Sequence, residues 1–185
     1  MQIRTFIALE LAPEIYSSLN EQLSFWKTSY PHGINWVRPE NLHQTLLFIG
    51  DTDPSLITDL SEMLENTCAD YHPFEMTFTG YELFPFNHPR MIWAQLEPEI
   101  PELTKLNRLL LHRVKELGLE PDDKALRLHI TMGRIKAPQS PIIESEILQA
   151  GTDTPKGVFD TISLYQSVLK PEGPTYTLLK QIKLS

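Results

Sequence analysis

Two short stretches of the sequence carry residue types that could perform acid–base chemistry, at residues 43–46 and 129–132. Each reads His, an apolar or neutral residue, Thr, and then an apolar residue. Both lie in segments with strand character, where residues two apart point to the same face of a sheet. The spacing therefore predicts that His43 projects beside Thr45 and His129 beside Thr131. Two such faces across a cleft would offer two imidazoles and two hydroxyls to a small anion.

The same alternation decides which neighbouring side chains share those faces. It turns the interleaved residues of the first motif to the opposite face, namely Leu42, Gln44, Leu46 and Phe48. It also turns Arg134 away from His129 and Thr131, unless a bulge at Gly133 re-aims the strand. Because a guanidinium suits a phosphate, Arg134 is a candidate substrate-binding residue whose role depends on that bulge.

Other residues that could do chemistry lack a comparable pattern. Four histidines are predicted to be surface or turn residues, namely His32, His72, His88 and His112. Residues 81–90 are rich in Pro, Asn, Phe and His and are predicted to form a loop. Phe84 and Phe86 in that loop could stack on bases or pack, and the sequence does not favour stacking over packing. No His, Cys or acidic residues have metal-ligand spacing, so no metal or cofactor is expected.

Composition narrows the class of protein. A chain of 185 residues with 41% apolar residues can bury a sizeable core. No apolar run is long enough to span a bilayer, the N-terminus lacks a signal peptide, and the single cysteine Cys68 fits a reducing compartment. We therefore expect a cytoplasmic protein without a membrane partner. The net charge of −8 argues against extensive contact with duplex nucleic acid, although a local cluster of donors could still hold one terminal phosphate.

The hydrophobic pattern predicts an α+β fold with about eight strands and three or four helices. The clearest helices cover residues 13–28, 54–68 and 102–118, and residues 140–150 form a short helix or an extended piece. The order strand, helix, His-bearing strand occurs twice. This order predicts two lobes of mainly antiparallel sheet with helices on the outer faces. The central cleft between the lobes would carry both His-x-Thr motifs.

Five stretches of the chain resemble the 2H phosphoesterase superfamily, specifically its RNA 2′,3′-cyclic phosphodiesterase branch, also called the 2′-5′ RNA ligase family. They are residues 4–9, 36–50, 90–94, 129–134 and 167–176. The resemblance implies one 2H phosphoesterase domain over residues 1–185, built of two pseudo-symmetric lobes. It also implies metal-independent hydrolysis of RNA 2′,3′-cyclic phosphates to 2′-phosphomonoesters, with reversible 2′-5′ ligation as the reverse reaction.

The resemblance also implies a role for each site residue. His43 would be the proton donor and His129 the proton acceptor, and two histidines of ordinary pKa near 6.5 can divide these roles near neutral pH. Thr45, Thr131 and Arg134 would bind the phosphate. The expected partners are RNA ends or nucleotides with a 2′,3′-cyclic phosphate, and we expect a monomer.

Two alternatives remain open from the sequence. The cleft could recognise an RNA end or a nucleotide without turning it over, as a binding module. The same chemistry could also act on a 2′,5′-linked oligonucleotide or on a cyclic phosphate of ADP-ribose. The presence of two proton-transfer groups favours catalysis, because binding alone would not need both.

Overall fold

A computed structural model of the protein describes residues 2–137, 139–151, 153–171 and 173–185, and these residues form nine strands and four α-helices. The strands are β1 (Ile3–Leu9), β2 (Ile34–Trp36), β3 (Gln44–Thr52), β4 (Phe74–Phe84), β5 (Met91–Glu97), β6 (His129–Ile135), β7 (Lys156–Phe159), β8 (Thr161–Val168) and β9 (Thr175–Lys183). The helices are α1 (Pro13–Ser29), α2 (Ile57–Cys68), α3 (Pro101–Glu116) and α4 (Pro141–Gln149).

The helices form where apolar residues recur at helical spacing and a start signal precedes them. Pro13 and Pro101 begin α1 and α3, where the N–H that proline lacks has no partner within the helix. Each helix buries one stripe, formed in α1 by Ile15, Leu19, Leu23 and Trp26 and in α3 by Leu103, Leu106, Leu110 and Val114. Among the described residues, no helix is both long and apolar enough to cross a membrane.

All nine strands join one antiparallel sheet, in the order β7-β4-β5-β6-β3-β1-β8-β9, with β2 paired to β6. The two motif strands β3 and β6 meet at the middle through a single residue pair, Gln44 with Ile130. One half of the sheet packs against α1 and α4, and the other half packs against α2 and α3. The predicted two-lobed, mainly antiparallel α+β architecture is confirmed.

Two segments differ from the prediction. The predicted loop at residues 81–90 is wrong for its first four residues, because β4 continues to Phe84 and pairs with β5. A register shift at Gly80 breaks the alternation, which resumes with Tyr81 and Leu83 buried. The pattern of residues 158–169 predicts one strand, but the structure has two, β7 and β8. β7 is an edge strand of the sheet, and β8 lies next to the opposite edge strand, β9.

Candidate active site

β3 carries a bulge directly after Thr45, and this bulge changes which side chains face the cleft. Ala8 of β1 pairs with Thr45, but Ile7 pairs with Leu47, so Leu46 is an extra residue. Leu46 and Leu47 are consequently both buried, and the next residue returns to the cleft face. The prediction that Phe48 points away from the cleft is therefore wrong, since Phe48 lines the same cavity as Thr45.

β6 carries the matching bulge after Thr131. Trp93 of β5 pairs with Thr131 and Ile92 pairs with Gly133, which leaves Met132 as the extra residue. Met132 and Gly133 both face the core, and Arg134 lines the same cavity as His129. A Cβ atom at Gly133 would lie 3.0 Å from side-chain carbons of both Ile34 and Trp36, so glycine allows β2 to pack closely over the bulge.

The cleft between the two halves of the sheet encloses about 600 Å³ and brings together all five residues that the sequence singles out. These are His43, Thr45, His129, Thr131 and Arg134. They come from the start of β3 and from β6, which are neighbours in the sheet although more than eighty residues apart in the chain. The other four histidines are exposed, as predicted.

The His43 side chain is fixed through both ring nitrogens. Nδ1 lies 2.7 Å from the Asn41 carbonyl oxygen. A carbonyl can only accept, so Nδ1 carries a proton and donates it. In the neutral imidazole Nε2 is then the acceptor, and it lies 2.9 Å from the Thr45 hydroxyl. The ring also packs against Phe6 and Tyr176, with centroids 4.9 and 5.4 Å away.

The His129 ring is held through Nδ1. Its Nδ1 donates to the Arg127 carbonyl oxygen at 3.0 Å, which leaves Nε2 as the acceptor of the neutral imidazole. The ring packs against Trp93, with centroids 4.0 Å apart. The Arg127 guanidinium lies over the Phe84 ring at 4.9 Å and over the Trp93 ring at 6.0 Å. Each motif therefore presents one oriented imidazole supported by an aromatic side chain.

The surroundings of the two imidazoles lower both pKa values but differ in the nearby charges. Burial, which disfavours the charged form, is the main cause of a lowered pKa at both His43 and His129. The hydrogen bond to a backbone carbonyl opposes this effect at each ring. Glu10 also acts to raise the pKa of His43. At His129 the positive charges of Arg127 and His43 lower the pKa further, and the smaller effect of Glu82 raises it. The local charges thus favour a proton on His43 more than on His129.

The cleft is positively charged in a chain whose net charge is −8. Five basic residues line it, namely Arg4, Arg38, Arg134, Lys136 and Lys170, and no described residue in its lining is Asp or Glu. Of these five, only Arg134 was predicted from the sequence to bind the substrate. Arg4 lies with its guanidinium 5.1 Å from the Phe48 ring centroid. The available signal was that Arg4, Arg38 and Lys170 fall within the stretches that resemble the 2H family.

Gln44 is a further residue that sequence reasoning missed as part of the site. Its side chain is fully buried between the two motif strands. Nε2 donates to the carbonyl oxygens of Thr45 and Arg127, at 2.8 and 3.0 Å, and Oε1 accepts from the backbone N–H of His129. The residue between the first His and Thr therefore fixes the backbone that leads into the second His.

No cluster of three or more His, Cys, Asp or Glu side chains that could hold a metal ion occurs among the described residues. The polar groups so far placed in the cleft are imidazoles, hydroxyls, guanidiniums and ammoniums. Such groups can move protons and bind anionic oxygens.

Comparison with known proteins identifies relatives over nearly the whole chain. The sequence model of a family described as LigT like phosphoesterase matches residues 14–93. A protein of Archaeoglobus fulgidus named RNA 2′,3′-cyclic phosphodiesterase is 30% identical over 181 residues, which cover 96% of this chain and 98% of the relative. A Thermus thermophilus protein of the same name is 31% identical over 189 residues, covering 98% and 90%.

Solved structures share the fold. A crystal structure of a Thermus thermophilus protein matches with a TM-score of 0.80 and 28% identity over 98% of both chains. The crystal structure of Escherichia coli LigT complexed with 3′-AMP matches with a TM-score of 0.74 over 100% of this chain and 99% of that chain. At 21% identity, the second match bears on the fold alone.

Proposed function

Because the chain belongs to the LigT-like phosphoesterases, a family of 2H phosphoesterases, we propose that it hydrolyses 2′,3′-cyclic phosphates at RNA ends to 2′-phosphomonoesters. The observation that carries this proposal is the pair of oriented imidazoles in one cationic cleft. Each has Nδ1 committed to a backbone carbonyl, so that Nε2 is left for the reaction. The relatives named RNA 2′,3′-cyclic phosphodiesterase support the choice of substrate.

In the proposed step a water molecule attacks the phosphorus in line with the leaving 3′ oxygen. His129 Nε2 takes the proton of the water as the new P–O bond forms. The bond between phosphorus and the 3′ oxygen breaks, and protonated His43 gives its Nε2 proton to that oxygen. The product carries a 2′-phosphate and a free 3′-hydroxyl. If the 5′-hydroxyl of a second RNA end attacked in place of water, the same step would form a 2′-5′ linkage, and its reversal would cleave that linkage. Each proton transfer typically contributes about 10²–10⁴-fold.

The charges near the two imidazoles support this division of roles. Glu10 favours the protonated form of His43, which suits an acid, and Arg127 favours the neutral form of His129, which suits a base. The hydroxyls of Thr45 and Thr131 would donate to the non-bridging oxygens, where charge collects in the transition state. The Arg134 guanidinium would bind the same oxygens.

The remaining parts of the proposal concern partners and location. We propose short single-stranded RNA ends or nucleotides as substrates, and the nucleotide named in the Escherichia coli LigT complex belongs to this chemical class. The cytoplasmic location rests on Cys68, the only cysteine, which is buried as a free thiol. Burial raises the pKa of that thiol to about 12, so Cys68 stays protonated and is not a nucleophile.

The test is to incubate the protein with a nucleoside 2′,3′-cyclic phosphate in the presence of EDTA and to locate the product phosphate by phosphorus NMR. We expect a 2′-phosphomonoester to accumulate. A 3′-phosphomonoester would reverse the roles of the two histidines. Loss of activity on chelation, with recovery on adding a divalent ion, would contradict the metal-independent step. Unchanged substrate together with measurable binding would identify a binding module instead.

A further inference from the structure

A second groove opens beside the cleft, at the end of β6, and encloses about 370 Å³. Its lining comes from the loop between β4 and β5 and from the segment that follows β6. The lining residues are Asn87, His88, Pro89, Arg90, Ile135, Lys136, Ala137, Gln139 and Glu144. Lys136 lines both this groove and the cleft, so the two cavities are neighbours along one surface.

The backbone holds the β4–β5 loop against the end of β6. The Arg90 N–H donates to the Phe84 carbonyl at 2.8 Å, and the Arg90 carbonyl accepts from the Ile135 N–H at 2.9 Å. Ile135 lies between Arg134 of the cleft and Lys136 of both cavities. Three cations therefore follow one another from the cleft into the groove, in the order Arg134, Lys136, Arg90.

The groove is polar and carries more positive than negative charge. Its lining contains two exposed basic residues, Arg90 and Lys136, and one carboxylate, Glu144. Asn87, His88 and Gln139 add side chains that can donate hydrogen bonds. A lining of this kind suits phosphodiester groups and base edges rather than an apolar ligand.

The same loop also presents an unpacked aromatic ring. Phe86 is 89% exposed, whereas its neighbour Phe84 stacks on Trp93 with centroids 4.0 Å apart. The sequence did not distinguish packing from stacking on bases for these two residues. In the structure, packing accounts for Phe84 but not for Phe86. Phe86 directly precedes Asn87, the first lining residue of the groove. Proteins stack the bases of single-stranded nucleic acid on such exposed rings next to a cationic groove.

We propose that this groove and Phe86 form a subsite for the single-stranded RNA segment that precedes the terminal cyclic phosphate. The inference rests on the proposed function, since it extends the substrate from a nucleotide to an RNA end. Arg90 and Lys136 contact the phosphodiester backbone, and Phe86 stacks on an unpaired base. A mononucleotide occupies only the cleft and does not reach this subsite.

The test compares two substrates of the protein, a nucleoside 2′,3′-cyclic phosphate and a short single-stranded RNA that ends in the same group. The variants are Arg90→Ala and Phe86→Ala, since neither residue lines the cleft. We expect kcat/KM for the RNA to fall about fivefold or more in Phe86→Ala, because one base loses its stacking partner. For Arg90→Ala, the slope of log kcat/KM against log salt should decrease by about 0.7, which is one lost phosphate contact. The mononucleotide should be turned over normally by both variants.

Matched controls are Arg108→Ala and Phe25→Ala, exposed positions on α3 and α1 that line neither cavity. Both controls should leave both substrates unaffected. Equal losses for RNA and mononucleotide would overturn the subsite, and so would no loss for either. If the wild-type protein turned over neither substrate, the proposed function would fail. Fluorescence anisotropy with a labelled RNA that ends in a 2′-phosphate would then still test the subsite, because Arg90→Ala and Phe86→Ala must weaken its binding.

Discussion

The two imidazoles occupy matching settings, each hydrogen-bonded through Nδ1 to the carbonyl of the residue two positions earlier. The partner carbonyls belong to Asn41 and Arg127, which are not part of either motif. Spacing alone predicts that His and Thr share a face, because side chains alternate along a strand. Spacing cannot predict the tautomer of either imidazole. The tautomer depends on the backbone carbonyl that Nδ1 contacts, and that carbonyl belongs to the segment before each strand.

Replacing either histidine should remove turnover. We expect His43→Ala and His129→Ala to lose at least about 10²–10⁴-fold in kcat, since each removes one proton-transfer group. His112→Ala, at an exposed position on α3, is the matched control and should retain full activity. Circular dichroism checks that the variants are folded. A near-normal rate in either motif variant would contradict the acid–base mechanism.

The pH dependence should follow the lowered pKa values. Productive free enzyme needs one imidazole protonated and the other neutral, and burial places both pKa values below 6.5. As pH rises through the pKa of the acid, its proton is lost, so kcat/KM should have its maximum below pH 6.5 and fall toward neutrality. A maximum at or above pH 7 would show that the lowered pKa values do not govern the reaction.

The charge of Arg127 should influence the pH at which kcat/KM falls on the acidic side of its pH profile. Arg127→Gln removes a positive charge that lowers the pKa of His129, so the pKa rises. Because the base must be neutral, the acidic limb of kcat/KM should move to higher pH while the basic limb moves less. Arg113→Gln, at an exposed position on α3, is the control and should leave both limbs in place.

The strands that position the site were only partly predictable. The alternation of residues 129–131 indicates a strand with one reactive face, and β6 has it. The bulges after Thr45 and Thr131 depend on how each strand pairs with its neighbour, β1 or β5, and alternation within one strand does not contain that information. Gly133, directly before Arg134, indicates the bulge in β6. The bulge in β3 that turns Phe48 to the cleft contains no glycine that would indicate it.

Gln44 should act on catalysis through the backbone of β6. Gln44→Leu removes its hydrogen bonds to Thr45, Arg127 and His129. The backbone N–H of His129 loses its side-chain acceptor, at a cost of about 1–3 kcal/mol in stability, whereas the Arg127 carbonyl keeps the His129 Nδ1 donor. We expect kcat to fall with little change in KM, because the anchor of the backbone leading into His129 is lost while the phosphate-binding groups remain.

The matched control is Thr52→Val, which also removes buried hydrogen bonds from β3 but at its far end, where Thr52 contacts Thr5. It should lower the free energy of unfolding in urea without lowering kcat. If Gln44→Leu reduced stability alone, in the same way as the control, Gln44 would be a structural residue rather than a positioning one.

At the scale of the whole molecule, we propose that the single domain of residues 1–185 consists of two pseudo-symmetric lobes. Counted outward from the central pair, the strand orders β6-β5-β4-β7 and β3-β1-β8-β9 correspond position by position. Each motif histidine also rests on a ring from the adjacent strand, which stacks on a ring from the next. From the cleft outward these are His43, Phe6 and Tyr165 in one lobe and His129, Trp93 and Phe84 in the other.

The acidic chain and its basic cleft are also a property of the whole molecule. The net charge of −8 argued against extensive contact with duplex nucleic acid and left a local cluster of donors open, but it could not place that cluster. Arg4, Arg38, Lys136 and Lys170 come from separate segments and meet only in the folded chain. Their convergence depends on long-range packing that no local pattern records.

The rate with an anionic substrate should therefore depend on the cleft and not on the net charge. Screening limits interactions between exposed charges to about 10 Å at 0.1 M salt. We expect Arg38→Gln, which removes a charge from the cleft, to lower kcat/KM at low salt and to flatten its dependence on salt. Asp59→Asn combined with Glu62→Gln on exposed positions of α2 changes the net charge from −8 to −6 and should alter neither quantity. An increase in kcat/KM for that double variant comparable in size to the loss in Arg38→Gln would mean that the overall charge, rather than the cleft, controls association with the substrate.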